Sequence, residues 1–306
     1  MLFIISLISF IAINLAPNSF FASGELNPNI TPEAIEELKK IYGLDKPLYI
    51  QFFSWIYSIL QLDFGISFTS GEKVKEEILS RIPITLTINI VSIILIFIIS
   101  LYFGIKSAMK KNSIFDRFTN QLSLLSFSMP SFYLALVLVL VFSIKFELFP
   151  IAGLHSVPND GSLNYYLDFA WHLTLPIFII VFGGIGSLIL YIRALTIEIL
   201  KSDYIFFARA RGLDNKKILR YYILPNLYPP VITLLGLSLP GIIGGSVILE
   251  TIFSIDGMGL LFYQSALSHD YPVIMGILII GAFLTLIGNM FADLILLKLN
   301  PNYNEK

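Results

Sequence analysis

The chain has 306 residues, of which 56% are hydrophobic and only 13% are charged, and its formal net charge is −1. A soluble domain of similar apolar content carries about a quarter charged residues, so this composition indicates a protein whose surroundings are largely lipid. The absence of cysteine excludes disulfides, thiolate metal sites and thiol nucleophiles.

Six long stretches of the chain contain no Asp, Glu, Lys or Arg. A helix needs roughly 20 mostly apolar residues to cross about 30 Å of hydrocarbon, and each stretch is long enough. The sequence therefore predicts an all-α integral membrane protein. We place its six transmembrane helices at Leu2–Phe21, Pro83–Ile105, Leu122–Phe142, Leu173–Leu190, Val231–Leu249 and Val273–Leu296.

The first stretch has two interpretations. Small residues at Ala22, Ser23 and Gly24 fit the cleavage site of a signal peptide. Such peptides begin with a positively charged region, and no Lys or Arg precedes the apolar run here. We therefore favour a retained first transmembrane helix within residues 1–22.

Residues 23–82 lie between the first two predicted spans, and we assign them to an extracytoplasmic loop with short helices. Thr31 and Pro32 are typical of a helix start, and Gly43 is typical of a helix end. The segment Tyr49–Ile56 has the pattern of an amphipathic helix that lies at the membrane surface.

Most basic residues fall on one side of the six-span arrangement. On the other side they lie mainly in the single long loop, where charge has little influence on orientation. We therefore predict a cytoplasmic membrane protein with a five-helix core at 83–298, and with both termini and the tail 299–306 in the cytoplasm. The basic residues on that side are Lys106, Lys110, Lys111, Arg117, Arg193, Lys201, Arg209, Arg211, Lys216, Lys217, Arg220, Lys298 and Lys306.

The core contains a strongly basic loop at 195–226. Within it, Ser202 or Asp203 is a suitable N-cap for a short helix that ends at Gly212. A second helix is predicted over residues 216–224, leading into the fifth span. The loop is thus expected to form a helical projection between two membrane helices.

Three aromatic residues and two arginines crowd the first of these short helices. A solvated loop accounts for the charges but not for the rings. A helix lying flat on the inner leaflet, or one docked in the groove of a soluble partner, accounts for both. Because aromatic residues and arginines are frequent anchors of protein interfaces, we favour docking. Spacings of three and four residues place on one face Tyr204, Phe207, Ala208 and Arg211.

The motif Asp203-Tyr204, followed by Ala208-Arg209-Ala210-Arg211-Gly212-Leu213 and by Leu224-Pro225, resembles the cytoplasmic signature of binding-protein-dependent ABC transporter permeases. The resemblance is strongest to the dipeptide, oligopeptide and nickel subgroup, and it extends in order over nearly the whole chain. Other matching segments are Thr31-Pro32-Glu33-Ala34, Gly43-Leu44-Asp45-Lys46-Pro47-Leu48, Asp63-Phe64-Gly65-Ile66-Ser67, Arg81-Ile82-Pro83-Ile84-Thr85, Pro130-Ser131-Phe132, Glu250-Thr251-Ile252-Phe253, Gly257-Met258-Gly259 and Asp270-Tyr271-Pro272-Val273.

This resemblance implies a type I ABC importer permease of MetI-like architecture that carries a small solute. Peptides are the most frequent cargo of the subgroup, and some similar permeases carry nickel or sugars instead. The implied partners are a second homologous permease subunit, two cytoplasmic ATP-binding subunits, an extracytoplasmic solute-binding protein and the lipid bilayer.

By the same resemblance, the short basic helix is the family's coupling helix, which docks on an ATP-binding subunit. The Glu-Ala-Ala of the wider superfamily falls on Phe206-Phe207-Ala208, so the individual contacts differ here. Carried over by position, the coupling residues are Asp203, Tyr204, Phe206, Phe207, Ala208, Arg209, Ala210, Arg211 and Gly212.

Small, polar and helix-breaking residues occur in the third and fifth predicted spans. These residues have two interpretations. They permit close packing between helices, or they supply polar groups and a hinge to a solute pathway. The candidates are Ser128, Pro130, Ser131, Ser238, Pro240, Gly241, Gly244 and Gly245.

Several other functions lack the residues that they need. No Gly-x-x-x-x-Gly-Lys-[Ser/Thr] motif is present, so ATP hydrolysis is expected on separate subunits, and we expect neither a cofactor nor a nucleic-acid partner. Few charges lie within the spans, which disfavours an ion-driven secondary transporter. An intramembrane enzyme would require a catalytic constellation that the sequence does not contain. A scaffold would bind the ATP-binding subunits without carrying solute.

Three histidines fall in or beside the predicted outer loops. His155, His172 and His269 lack the spacing of metal ligands. We therefore interpret them as isolated surface residues rather than as a metal site.

Overall fold

The computed structural model describes residues 6, 7, 10, 11, 46–238 and 247–299, which are helical apart from short connections. Within this described part there is no β-strand, only an isolated bridge between Ile66 and Lys73. The all-α prediction is therefore confirmed. Of the predicted first span, only residues 6, 7, 10 and 11 are described. The helix predicted to start at Thr31 and the candidates at positions 240–245 lie outside the described residues.

The helices are short around the predicted loops and long within the predicted spans. In chain order they are α1 (Leu48–Leu60), α2 (Val74–Met109), α3 (Ile114–Ser128), α4 (Ser131–Leu138, extended by a π-helical segment Val139–Lys145), α5 (Leu163–Leu200), α6 (Asp203–Ala210), α7 (Asn215–Ile218, extended by a π-helical segment Leu219–Ile223), α8 (Leu224–Ser238), α9 (Val247–Ile252), α10 (Met258–Leu267) and α11 (Tyr271–Leu299).

Three described helices are long and apolar enough to cross a membrane: α2, α5 and the Tyr271–Phe291 part of α11. The pair α3 and α4 is a fourth candidate if it forms one bent span. The second, fourth and sixth predicted spans thus fall within longer helices, and α1 contains the predicted helix Tyr49–Ile56. The total of six spans stays a prediction.

The third span is not the single helix predicted over Leu122–Phe142. The axes of α3 and α4 differ in direction by 99°. Met129, between them, is extended with φ −86° and ψ 123°, because the ring of a following proline disfavours helical backbone. Pro130 then occupies the N-cap position of α4.

The described residues fall into two compact units. The first unit comprises the described residues up to Thr85, together with Val247 and Asp256–Thr285. The second unit comprises the described residues within Leu86–Ile242, Ile248–Ile255 and Leu286–Lys306. The core of the first unit consists of Val74, Ile78, Met258, Leu261 and Val273, each at most 5% exposed.

Polar contacts join two segments of the first unit that are far apart in the chain. Asp270 is 1% exposed, and its carboxylate accepts hydrogen bonds from the Ser67 hydroxyl at 2.6 Å and from the Thr69 backbone N–H at 3.0 Å. Arg81 donates to Asp256 at 2.7 Å. These contacts fix the loop between α1 and α2 against the loops that flank α10.

The second unit is built around α5, which packs on both α2 and α3. At Gly186 a Cβ atom would lie 2.5 Å from the Ser123 carbonyl oxygen, so only glycine allows this approach of α5 to α3. The Ser126 hydroxyl donates to the Phe182 carbonyl at the same contact. On the other side of α5, Gly104 of α2 makes room for Ile192.

Candidate functional site

The predicted coupling helix exists as α6. The chain leaves α5 at Lys201 and passes through one extended residue, Ser202, with ψ 151°. The Ser202 hydroxyl donates to the Ile199 carbonyl at 2.6 Å, so it satisfies the end of α5. Ser202 therefore holds the predicted N-cap position of α6, although its side chain makes no capping hydrogen bond. Asp203 lies in the first turn, where its negative charge interacts favourably with the positive end of the helix dipole.

The C-terminal end of α6 is closed by a Schellman motif. The Gly212 N–H donates to the Arg209 carbonyl at 2.9 Å, and the Leu213 N–H donates to the Ala208 carbonyl at 3.2 Å. Gly212 has φ +78°, a left-handed conformation that glycine adopts without steric cost. The predicted end at Gly212 thus has a structural reason, and the loop after α6 leaves in one defined direction.

One face of α6 is anchored in the second unit's core. Ile205 is 1% exposed and Ala208 is 2% exposed. Both side chains face inwards because they are three residues apart on the helix. The predicted face that groups Ala208 with the exposed aromatic residues is therefore wrong, and Ile205 is the anchor that sequence reasoning missed. The cluster to which Ile205 belongs also includes Ile192, Ile218, Ile223, Leu227 and Val231.

The opposite face of α6 presents rings and guanidinium groups to the surroundings. Phe206 and Phe207 are 70% and 63% exposed, with their rings edge to face at 5.8 Å. Tyr204 is 43% exposed and stacks on Tyr222 at 6.2 Å. The remaining exposed members of the predicted set are Asp203, Arg209, Ala210, Arg211 and Gly212. We call the exposed Phe206, Phe207, Arg209 and Arg211 the α6 knob.

The second predicted helix starts at α7 rather than at Lys216, because Asp214 accepts a hydrogen bond from the Lys217 N–H at 3.0 Å and caps it. It does not end before Pro225. The helix passes through the π-helical segment Leu219–Ile223 directly into α8, and Pro225 follows this irregular segment.

An ion pair between the half-buried Arg193 and the buried Asp116 lies about two turns before the end of α5. Arg193 of α5 donates to both carboxylate oxygens of Asp116, from Nε at 2.7 Å and from Nη2 at 2.8 Å. Asp116 is 3% exposed and also accepts from the Ser107 hydroxyl and from the Asn112 backbone N–H. Sequence reasoning took Arg193 only as an orienting charge and missed this network, because its partner Asp116 lies 77 residues away in the chain.

The candidate pathway residues are only partly described. Ser128, Pro130 and Ser131 lie at the break between α3 and α4, and all three are at least partly exposed in the single chain. The Ser238 hydroxyl donates to the Leu234 carbonyl at 2.8 Å within its own helix. The break gives α3 and α4 a bend at Pro130, and a role in solute passage stays a prediction. The candidates outside the described residues are Pro240, Gly241, Gly244 and Gly245.

Two of the three histidines are not isolated surface residues, contrary to the prediction. His172 is 5% exposed, and its Nδ1 lies 2.9 Å from the Asp168 carbonyl oxygen. The His155 ring stacks on Tyr165 at 3.8 Å, and its Nδ1 lies 3.7 Å from the Asp168 carboxylate. Within the described residues, no group of three potential ligands has the geometry to hold a metal ion.

Two family models together cover almost the whole chain. Residues 100–305 match the binding-protein-dependent transport system inner membrane component, and residues 1–89 match the N-terminal component of the same systems. The oligopeptide transport system permease protein AppB of Bacillus subtilis is 35% identical over 97% of this chain and 93% of its own length. The dipeptide transport system permease protein DppB of Lactococcus lactis is 32% identical over 98% of this chain and 94% of its own length.

The metal-staphylopine import system permease protein CntB of Staphylococcus aureus is also 32% identical, over 91% of this chain and 85% of its own length. A chain of the MetNI methionine ABC transporter, solved in inward-facing conformations, aligns with a TM-score of 0.58 at 17% identity. That alignment covers 73% of this chain and 96% of the other, and it establishes the MetI-like fold. The chain therefore belongs to the family of binding-protein-dependent transport system inner membrane components.

Proposed function

We propose that this ABC permease subunit imports di- or oligopeptides across the cytoplasmic membrane, with both of its termini in the cytoplasm. It pairs with a second permease subunit, receives cargo from an extracytoplasmic solute-binding protein, and is driven by two ATP-binding subunits. The family membership supports a multi-pass subunit that leaves ATP hydrolysis to separate chains. The AppB and DppB relatives, named for oligopeptide and dipeptide transport, support the cargo.

The observation that carries the proposal is the α6 knob. Phe206 and Phe207 expose most of their surface to the surroundings while Ile205 and Ala208 hold the same helix in the core. Exposed rings next to guanidinium groups are the composition of a protein interface rather than of a solvated loop. A short helix of this kind fits a groove on a soluble subunit. The knob is therefore the coupling surface of the proposed transporter.

The coupling role is tested by truncating the rings. In the assembled transporter, Phe206→Ala combined with Phe207→Ala should reduce ATP-driven peptide uptake at least tenfold, since interface anchors contribute about 2 kcal/mol or more each. Association with the ATP-binding subunits, measured by co-purification, should fall in parallel. The matched control is Tyr166→Ala, at the other end of α5, where a 62% exposed ring is removed. Normal association and uptake in the double variant would exclude α6 as the coupling helix.

A metal complex is the second candidate cargo, because the CntB relative is named for metal-staphylopine import. The two cargo classes are distinguished by measuring uptake of radiolabelled tripeptides and uptake of ⁶³Ni²⁺, the latter both alone and with small amino-acid chelators. Peptide uptake that is strictly ATP-dependent supports the proposal. Uptake under an ion gradient without the ATP-binding subunits would instead support a secondary transporter.

A further inference from the structure

A surface groove with a volume of about 420 Å³ lies along the C-terminal part of α2. Leu101, Ile105 and Met109 of α2 form one wall, and Leu219 and Leu224 form the other. All five belong to the second unit. The groove is separate from the α6 knob and from the break between α3 and α4, so the proposed function leaves it without a role.

One end of this groove is basic. Lys106 and Lys110 line it together with Asn215. Lys110 directly follows the last residue of α2, and its backbone N–H donates to the Lys106 carbonyl at 3.0 Å, so the two lysines are neighbours one turn apart. The Lys106 ammonium donates to the Tyr102 hydroxyl at 2.6 Å and lies 4.7 Å from the centroids of the Tyr102 and Phe115 rings. An ammonium has three N–H donors, so the ordered Lys106 retains two for an anion.

The groove crosses the boundary between hydrocarbon and headgroups. The charge-free part of α2 ends at Ile105, and the lysines follow directly. From Leu101 to Ile105 the helix rises about 6 Å, so the apolar part of the groove reaches from the lysines into the hydrocarbon. An amphiphile with its charge at the lysines would thus lay its chain along the apolar walls.

We propose that this groove binds one anionic phospholipid. Its phosphate lies between Lys106 and Lys110, and Asn215 hydrogen-bonds the headgroup. One acyl chain packs against Leu101 and Leu224. Basic pockets between membrane helices bind acidic lipids because each lysine attracts the net negative charge that a zwitterionic lipid lacks. The groove's basic end and apolar walls match both parts of such a molecule.

The charge requirement is tested with the purified full-length chain in detergent, by native mass spectrometry with phosphatidylglycerol and phosphatidylcholine of identical acyl chains. Replacing both lysines, Lys106→Gln with Lys110→Gln, should weaken phosphatidylglycerol binding roughly 30-fold and leave phosphatidylcholine unchanged. The charge-preserving pair, Lys106→Arg with Lys110→Arg, should bind as the unaltered chain does. The matched control is Lys73→Gln with Lys75→Gln, two exposed lysines before the apolar part of α2.

The groove itself is tested by filling it. Leu219→Trp retains both lysines and should still weaken phosphatidylglycerol binding, whereas glycerol phosphate without acyl chains should not compete. Equal binding of the two lipids, unchanged binding by the Gln pair, or competition by glycerol phosphate would each overturn the proposal. So would a Leu219→Trp variant that changes the oligomeric state but binds phosphatidylglycerol normally, since a second protein chain would then cover the groove.

Discussion

The Asp116 and Arg193 pair shows how one contact can join three helices. Arg193 lies on α5, Asp116 lies in the first turn of α3, and Ser107 contributes from the end of α2. Arg193 comes ten residues before Asp203, the first residue of α6, which corresponds to roughly 15 Å of helix. The pair therefore ties the last turns of α5, before α6, to the end of α2 and the start of α3.

Neutralising Arg193 leaves the buried Asp116 carboxylate without compensation, and neutralising Asp116 leaves the half-buried guanidinium without a partner. We expect Asp116→Asn or Arg193→Gln to lower the free energy of unfolding by about 3 kcal/mol, which corresponds to a melting temperature lower by about 5–10 °C. The combined variant should lose less than the sum of the two changes. Thermal unfolding of the purified chain, followed by tryptophan fluorescence, measures this. Strict additivity of the two changes would contradict a direct coupling.

Gly186 provides a second test at the scale of single residues. Gly186→Ala places a methyl group against the Ser123 carbonyl, so α5 and α3 must separate, at a cost of about 1–3 kcal/mol. Gly183→Ala is the matched control, since a Cβ atom there meets nothing within 4 Å. Because alanine favours helix, the control should be neutral or slightly stabilising. A melting temperature that falls equally in both variants would argue against the contact.

At the scale of elements, α6 combines a defined end with a divided surface. The Schellman motif stops the helix at Gly212, and the core holds Ile205 and Ala208. The exposed residues between these anchors cannot rotate inwards without breaking the core. This arrangement presents the knob in one fixed orientation.

The left-handed backbone at Gly212 makes that orientation sensitive to side chains. Gly212→Val should cost about 1–2 kcal/mol and weaken co-purification of the ATP-binding subunits, because a β-branched residue disfavours φ +78°. Gly212→Asn should retain association, since asparagine tolerates this conformation. Comparable association in both variants would show that the end of α6 does not set the docking geometry.

The positions of the long helices could be predicted from the sequence, but which side of each helix is buried could not. The charge-free runs located α2, α5 and α11, and glycine chemistry located the end of α6. Which face of α6 is buried depends on Ile218, Ile223 and Leu227, which approach it from later in the chain. The role of Arg193 could not be predicted because its partner lies 77 residues away. The helix break at Pro130 could have been predicted from the backbone preferences of proline. It was not predicted because the surrounding charge-free run indicated a single transmembrane helix.

At the scale of the whole molecule, the proposed orientation can be measured directly. The chain lacks cysteine, so single substitutions create the sole thiol. A thiol at Phe206→Cys should react with a membrane-impermeant maleimide only in inside-out vesicles, and ATP-binding subunits should protect it. A thiol at Tyr57→Cys, 65% exposed on α1, should react only in right-side-out vesicles. The opposite pattern would invert the topology and remove α6 from the cytoplasm.

Helix α5 has 38 residues and is therefore about 57 Å long, nearly twice the hydrocarbon thickness of a bilayer. It carries His172 and Asp168 near one end and passes into α6 at the other. Pro176 interrupts its backbone hydrogen bonding, and the part that follows is about 36 Å long, so a pivot of about 5° at Pro176 displaces the α6 end by about 3 Å. In the proposed transporter, movement that an ATP-binding subunit imposes on α6 therefore extends along α5 as far as Pro176 without any relay of side chains.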